Sequence, residues 1–310
     1  MLIPMHIVII SGLSGSGKSI ALNMLEDAAY YCVDNLPSQL LQPLVEQLGQ
    51  QGYDQVAVVI DIRGGDSLAV LPQQLAALRA GGLAPQFLFL DAKTETLLKR
   101  YSETRRRHPL ANAQRTVGEA IAEERLRLES LAELGHHIDT SDLKPNALRE
   151  WIRQFTAEST APTTNAQPGI TLIFESFGFK HGIPLDAELV FDVRCLPNPH
   201  YVPSLRPLTG RDAPVVAFLE AEPDVLRMRD DIARFIANWL PSYIRDQRNY
   251  LTVGIGCTGG QHRSVYLAEW LAREFATHES AQARVLVRHR ELSEWPEWPE
   301  SSPASFTGNA

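Results

Sequence analysis

The stretch Gly12-Leu13-Ser14-Gly15-Ser16-Gly17-Lys18-Ser19 decides the fold of the first half of the chain. It satisfies G-x-x-x-x-G-K-[ST] at every position. Its flanks agree. His6–Ile10 (HIVII) is a short apolar run of buried-strand composition, and Ile20–Leu25 reads as the opening of a helix. Glycines here let backbone N–H groups converge on phosphate oxygens, and the helix N-terminus adds partial positive charge. In a loop of this kind the lysine, Lys18, reaches the β- and γ-phosphates, and the hydroxyl of Ser19 is a ligand for Mg²⁺.

Outward from the loop, VAVVI (56–60) and FLFL (87–90) are further buried-strand runs, and YYCVD (30–34) is a weaker one. Helical stretches separate them. The clearest opens at Thr116 with Glu119 three residues on, a capping box, followed by Leu128, Leu131 and Leu134 on one face. This alternation implies a parallel sheet covered by helices. A metal beside the loop needs a carboxylate at a neighbouring strand end. Asp61 and Asp91 compete, with Asp34 a third. Asp61 is preferred because Arg63 and the flexible Gly64-Gly65 pair follow it. The expected catalytic pair is Lys18 and Asp61, and the expected metal ligands are Ser19 and Asp61. Arg105-Arg106-Arg107-His108-Pro109 is the densest cation cluster, readable as a lid over phosphates, a solvated helix end or an RNA contact.

The second half repeats the style. ITLIFESF (170–177), ELVFDV (188–193), LTVGIG (251–256) and RVLV (284–287) read as strands, and 223–240 and 264–275 as helices. The fold class is therefore α/β: a parallel-sheet N-terminal domain and a second C-terminal α/β domain. Between strand and helix lies Cys257-Thr258-Gly259-Gly260-Gln261-His262-Arg263-Ser264, with the spacing C-x5-R-S. This is how a cysteine phosphatase wraps one phosphate in N–H groups with an arginine clamp. No histidine precedes Cys257 and no general-acid aspartate has the right spacing, so a non-catalytic phosphate site is preferred to a phosphatase. Arg194, after Asp192-Val193, either approaches the same anion or pairs with an aspartate.

Thr156–Gly169 (TAESTAPTTNAQPG) contains no strong hydrophobe and reads as a linker. Residues 291–310 read as a disordered acidic tail. The domains expected are 1–155 and 170–290. Of 310 residues, 44% are hydrophobic and 21% charged, and the net charge is -8. That balance argues against wholesale nucleic-acid binding. Three scattered cysteines exclude a disulfide framework or a cysteine zinc site and fit the reducing cytoplasm. No run approaches the ~18 apolar residues of a membrane helix.

Several blocks are longer than a generic nucleotide motif: GLSGSGKS (12–19), YCVDNLP (31–37), TRRRHPL (104–110), DTSDLKP (139–145), ESFGFKHGIP (175–184), FDVRCLPNPHYVPSLRPLTG (191–210) and GIGCTGGQHRSV (254–265). Together, from about residue 6 to about 290, they resemble the RapZ/YvcJ family of bacterial P-loop proteins. The resemblance implies a P-loop kinase-like N-terminal domain with ATPase and GTPase activity, using ATP, GTP and Mg²⁺. Its guanine-nucleotide motif, Asp-x-Arg-(Asn/Ser), falls on Asp61-Ile62-Arg63-Gly64, where Gly64 departs from the pattern. The best-known branch binds small regulatory RNAs, presents them to an endoribonuclease, and senses an amino-sugar phosphate through its C-terminal domain. That branch's C-terminal basic cluster corresponds here to Arg284, Arg288 and Arg290, ahead of the acidic tail. The preferred reading is a slow cytoplasmic nucleotidase with a phosphate-metabolite site, expected as a homo-oligomer. The alternatives are an RNA adapter, a small-molecule kinase and a cysteine phosphatase.

Overall fold

The computed structural model describes residues 5–157, 170–277 and 283–292, apart from 113, 247 and 249. The expected linker and acidic tail lie outside these residues except for their first two positions.

Among the described residues, the first half supplies strands β1 (His6–Gly12), β2 (Tyr31–Val33), β3 (Gln55–Val59), β4 (Gln86–Asp91) and β5 (His136–Asp139). They form one parallel sheet in the order β2-β3-β1-β4-β5. Helices α1 (Lys18–Asp27), α2 (Leu41–Gln50), α3 (Leu71–Ala80), α4 (Thr94–Thr104), α5 (Val117–Ala132) and α6 (Pro145–Ala157) alternate with the strands. The inner strands are buried on both faces, so Ile7 and Ile9 pack into one layer and Val8 and Ile10 into the other. Each such side chain contributes roughly 1.5–3 kcal/mol relative to exposure. The capping box at α5 forms as its spacing predicts. Thr116 accepts from the Glu119 N–H, and the Glu119 carboxylate accepts from the Thr116 N–H. Helix α6 runs through Ala157, two residues past the expected domain edge.

The second half supplies β6 (Ile170–Gly178), β7 (Leu189–Asp192), β8 (Tyr250–Cys257) and β9 (Ala283–His289), parallel in the order β7-β8-β6-β9. Helices α7 (Ala213–Glu220), α8 (Pro223–Arg245) and α9 (Arg263–Thr277) accompany this sheet. Both sheets are thus parallel, and the fold is two α/β domains.

The domains meet through an ionic network and an aromatic stack. Arg288 on β9 donates to Asp186 at 2.8 Å and to the Asp139 carbonyl at 2.8 Å, and lies 3.3 Å from Glu175. Arg290 reaches Asp142 at 2.6 Å and Asp139 at 3.4 Å. Beside them His136 stacks on Trp151 at 4.8 Å and meets Tyr250 of β8 at 5.0 Å. These contacts correct two expectations. Arg288 and Arg290 are 2% and 8% exposed, so they are interior interface residues rather than a surface for RNA. Arg284 is half-buried and donates to the Phe155 carbonyl of α6. Their sequence looked basic because the neutralising carboxylates lie far away along the chain. Glu291, expected to begin a loose tail, lies against Gly260.

Candidate functional site

Strand β1 lies inside its sheet, and the chain crosses to its other side between β3 and β4. Ligands of open parallel sheets bind at the carboxyl ends of strands at such a switch. The 12–19 loop sits there and leads straight into α1. Gly12 has φ +129°, and a Cβ on it would overlap the Leu90 carbonyl of β4, so only glycine lets the loop leave the sheet at this point. Gly15 and Gly17 are also left-handed. Leu13 anchors the loop in the core.

A cleft of about 500 Å³ opens above the loop. Lys18 is 8% exposed and donates to the Gly12 and Leu13 carbonyls at 2.6 and 3.0 Å, with Asp61 4.0 Å away. Burial lowers the Lys18 pKa, opposed by the charges of Asp61 and Glu124. Ser19, Asp34 and Asp61 line the same cleft with Arg63, Arg100, Arg106 and Arg107. Thr140 donates to the Ser16 carbonyl at 2.8 Å and Arg100 to the Gly15 carbonyl at 3.1 Å, which brace the loop from behind.

The structure separates the carboxylates that sequence left in competition. Asp61 accepts from the Arg63 N–H and borders the cleft. Asp91 is occupied by Arg125, the Ala92 N–H and His137. Ser19 and Asp61 are hard oxygen donors on one wall, which suits Mg²⁺. No group of three or more His, Cys, Asp or Glu that could hold a metal occurs among the described residues. An ion here would therefore depend on phosphate oxygens as well. Of the expected Asp61–Gly64 motif, Ile62 is buried in the core, so its side chain cannot read a base.

Sequence reasoning missed Glu124 of α5. It is fully buried, and its oxygens accept from Ser14 N at 3.0 Å, Ser14 Oγ at 2.7 Å and His108 Nε2 at 2.8 Å. Burial alone would raise its pKa, but His108, the Lys18 charge and Ser14 together hold it below the ordinary carboxylate range. A glutamate at a core position of an otherwise regular helix was the available signal.

The second loop follows β8, an inner strand, and opens α9. Cys257 Sγ accepts from the Gly260 N–H at 3.2 Å and lies 3.1 Å from Ser264 Oγ. Burial raises its pKa, but these contacts and the Arg263 charge bring the thiol below its usual range. Arg263 is 4% exposed and donates to the Arg194 and Leu196 carbonyls at 2.7 and 2.8 Å, with Thr258 Oγ1 at 3.3 Å. Its Nε is buried without a partner. Thr258 and Gln261 are exposed, Gly259 half-buried, and His262 holds the Leu205 carbonyl at 3.2 Å. Arg194 itself pairs with Asp192 at 2.6 Å and stacks on Phe179, so its charge is turned to that aspartate rather than into the loop.

Comparison with known proteins agrees with this two-domain layout. A model described as the RapZ-like N-terminal domain matches residues 5–160, and one described as the RapZ C-terminal domain matches 170–293. The chain belongs to the RapZ family. This RapZ-family chain is 61% identical to a nucleotide-binding protein of Dechloromonas aromatica, over 93% of its own length and 99% of the relative's. A nucleotide-binding protein of Thiobacillus denitrificans is 60% identical over 93% and 100%. Among solved structures, shikimate kinase from Acinetobacter baumannii in complex with shikimate aligns at TM-score 0.35 and 15% identity, over 51% of this chain and 96% of that one. Among the described residues no helix is long and apolar enough to cross a membrane.

Proposed function

We propose that this RapZ-family protein binds ATP or GTP in the N-terminal cleft, hydrolyses it slowly, and holds a phosphate-bearing metabolite at the second loop. The observation that carries the first part is Lys18. A desolvated ammonium is held on the loop's own carbonyls, facing a cleft lined by four arginines. Phosphoryl transfer needs little covalent help from protein, so positioning and charge supply the catalysis. Incoming phosphates take Lys18 away from the two carbonyls. The loop N–H groups hold the β-phosphate, and Arg63, Arg106 and Arg107 offset charge that builds on the γ-phosphoryl oxygens. Ser19 would hold Mg²⁺ directly and Asp61 through its water shell. Bound there, the ion would supply neutralisation of phosphate charge, while Ser19 and Asp61 fix its place beside the loop. The relatives' names, as nucleotide-binding proteins, support the same reading.

For the second loop, support comes from the Gly259–Gly260 backbone, the start of a full helix and the unpartnered Arg263 Nε. A sugar phosphate is the ligand class proposed. The adapter reading finds no support in Arg288 and Arg290, which are interior.

The test is release of inorganic phosphate from Mg²⁺-ATP and Mg²⁺-GTP with no acceptor added. Turnover lost by more than about 100-fold in Lys18→Ala is the expected result. Nucleoside diphosphate formed only when a hydroxylated acceptor is supplied would make the protein a kinase instead.

A further inference from the structure

Turnover by water requires a group that orients the water and takes its proton. The cleft-lining carboxylates, Asp34, Asp61 and Glu103, are bordered by cations, and Asp61 is committed to Lys18, the Arg63 N–H and the metal side. The remaining route runs through Ser14. Ser14 is among the residues lining the cleft, and its hydroxyl gives its one proton to Glu124, so toward any further partner, the neighbouring Tyr101 hydroxyl or a water, its oxygen can only accept.

We propose that Ser14 orients the attacking water and that Glu124, fixed by His108, is the positioning residue that receives the proton through it. The inference rests on the nucleotidase reading above. The Leu110 N–H donates to His108 Nδ1 at 3.1 Å. The proton of the neutral ring is therefore on Nε2, which donates to Glu124. Glu124 is thereby an ionised acceptor with every contact made by the phosphate loop or by the end of the arginine segment. Removing this carboxylate alone would leave the Ser14 N–H, the Ser14 hydroxyl and the His108 Nε2–H buried without their acceptor, so Glu124 also holds the loop in shape. Around it stand Lys18, His108 and Tyr101, whose hydroxyl burial pushes up to about 12.

The step balances without further reactants. Water oxygen forms a bond to the γ-phosphorus as the bond from phosphorus to the β–γ bridging oxygen breaks, releasing the nucleoside diphosphate. The water proton passes to Ser14 Oγ while the Ser14 proton passes to a Glu124 oxygen. Protonated Glu124 then returns its proton by the same path when phosphate leaves. His108 directly follows the arginine segment whose Arg106 and Arg107 line the cleft, so the same hydrogen bond ties that segment to the loop.

The experiment compares the full-length wild type with Lys18→Ala, Ser14→Ala, Glu124→Gln and the double variant Ser14→Ala/Glu124→Gln. Phosphate release from Mg²⁺-ATP gives kcat, and a fluorescent ATP analogue gives Kd. Each single variant is expected to lower kcat on the order of 100-fold. Kd should change by less than about threefold, and the double variant should be no slower than the worse single one, because the two residues act as a unit. Ser14→Ala removes only a hydroxyl at the cleft wall, so it decides the matter if Glu124→Gln does not fold. A kcat for Ser14→Ala within about threefold of wild type overturns the proposal, as does a loss confined to Kd or a multiplicative double variant. Wild type no faster than Lys18→Ala removes the nucleotidase reading itself, and this inference falls with it.

Discussion

In the first domain the loop after β1 rests its cation, Lys18, on its own carbonyls beside an open cleft. In the second, the loop after β8 commits its cation, Arg263, to carbonyls of another segment, Arg194 and Leu196. Both loops leave an inner parallel strand and open a helix. Both use glycines and a basic residue. The difference is what completes the hydrogen bonding. The first loop faces an open cleft, whereas in the second a thiol, a serine and the arginine's grip on its neighbour take up much of the hydrogen bonding, leaving the Arg263 Nε without a partner. One topological position therefore yields a site defined by a cleft and another defined by a tight internal turn.

The comparison is broken most severely at Gly12. Gly12→Ala places a Cβ on the Leu90 carbonyl and demands positive φ of a residue that carries a Cβ, so it should lower unfolding stability by more than about 3 kcal/mol in denaturant titration. Next come the two cations, where the expected effects diverge. Arg263→Met leaves the buried Leu196 carbonyl and the partly buried Arg194 carbonyl without their donor and should cost about 2–4 kcal/mol. Lys18→Met removes a desolvated ammonium, which offsets the loss of the donor to the Gly12 and Leu13 carbonyls, so it should cost less stability than Arg263→Met while abolishing nucleotide binding. Equal destabilisation by both would erase the distinction drawn between the loops. A smaller effect is expected from Cys257→Ala, which deprives the Gly260 N–H and Ser264 hydroxyl of their acceptor and should cost about 1–2 kcal/mol in the same titration.

The smallest expected effect lies between the loops and depends on pH. At the domain interface, Glu175, Asp186 and Asp139 face Arg288 and Arg290, so the carboxylates outnumber the arginines. Burial pushes Glu175 up to about 8 despite Arg288, while Asp186, although buried, is held low by Arg288 and the Asp139 N–H. Unfolded, Glu175 titrates near 4.5. Between 4.5 and about 8 the native state retains a proton that the unfolded chain has lost, so this group's contribution to stability is full below 4.5 and gone above about 8. Glu175→Gln should match wild type near pH 4 and exceed it by at least about 1 kcal/mol at pH 9. A difference independent of pH would show that Glu175 has the same pKa in the folded and unfolded chain, so that burial retains no extra proton.

Much of this was legible along the chain. The 12–19 loop announces itself because its chemistry is local: glycines, a lysine and a helix start within eight residues. The strands at 6–10, 56–60, 87–90 and 251–256 were readable because buried parallel strands are nearly all apolar. Strand β5 was not, since His136-His137-Ile138-Asp139 has one aliphatic residue and three polar ones, of which His136 and Asp139 are buried. Glu124 meets Ser14 across 110 positions, and Arg288 meets Asp186 across 102. No periodicity encodes such pairs. The one sequence hint was in β9, where RVLVRHR places charges in a strand of a sheet that is covered on both sides. Charges in that setting call for buried partners rather than for solvent or RNA.

The interface has a temporal consequence during synthesis. Asp139, Asp142 and the His136–Trp151 stack are made well before Tyr250, Arg288 and Arg290, which cover them. N-terminal domains begin folding first, at a synthesis rate of ≈ 5–20 residues per second. The nascent first domain therefore presents an acidic, aromatic edge for some seconds before β9 of the second domain arrives to cover it. Closure of that edge waits for residues such as Arg288, 149 positions beyond Asp139.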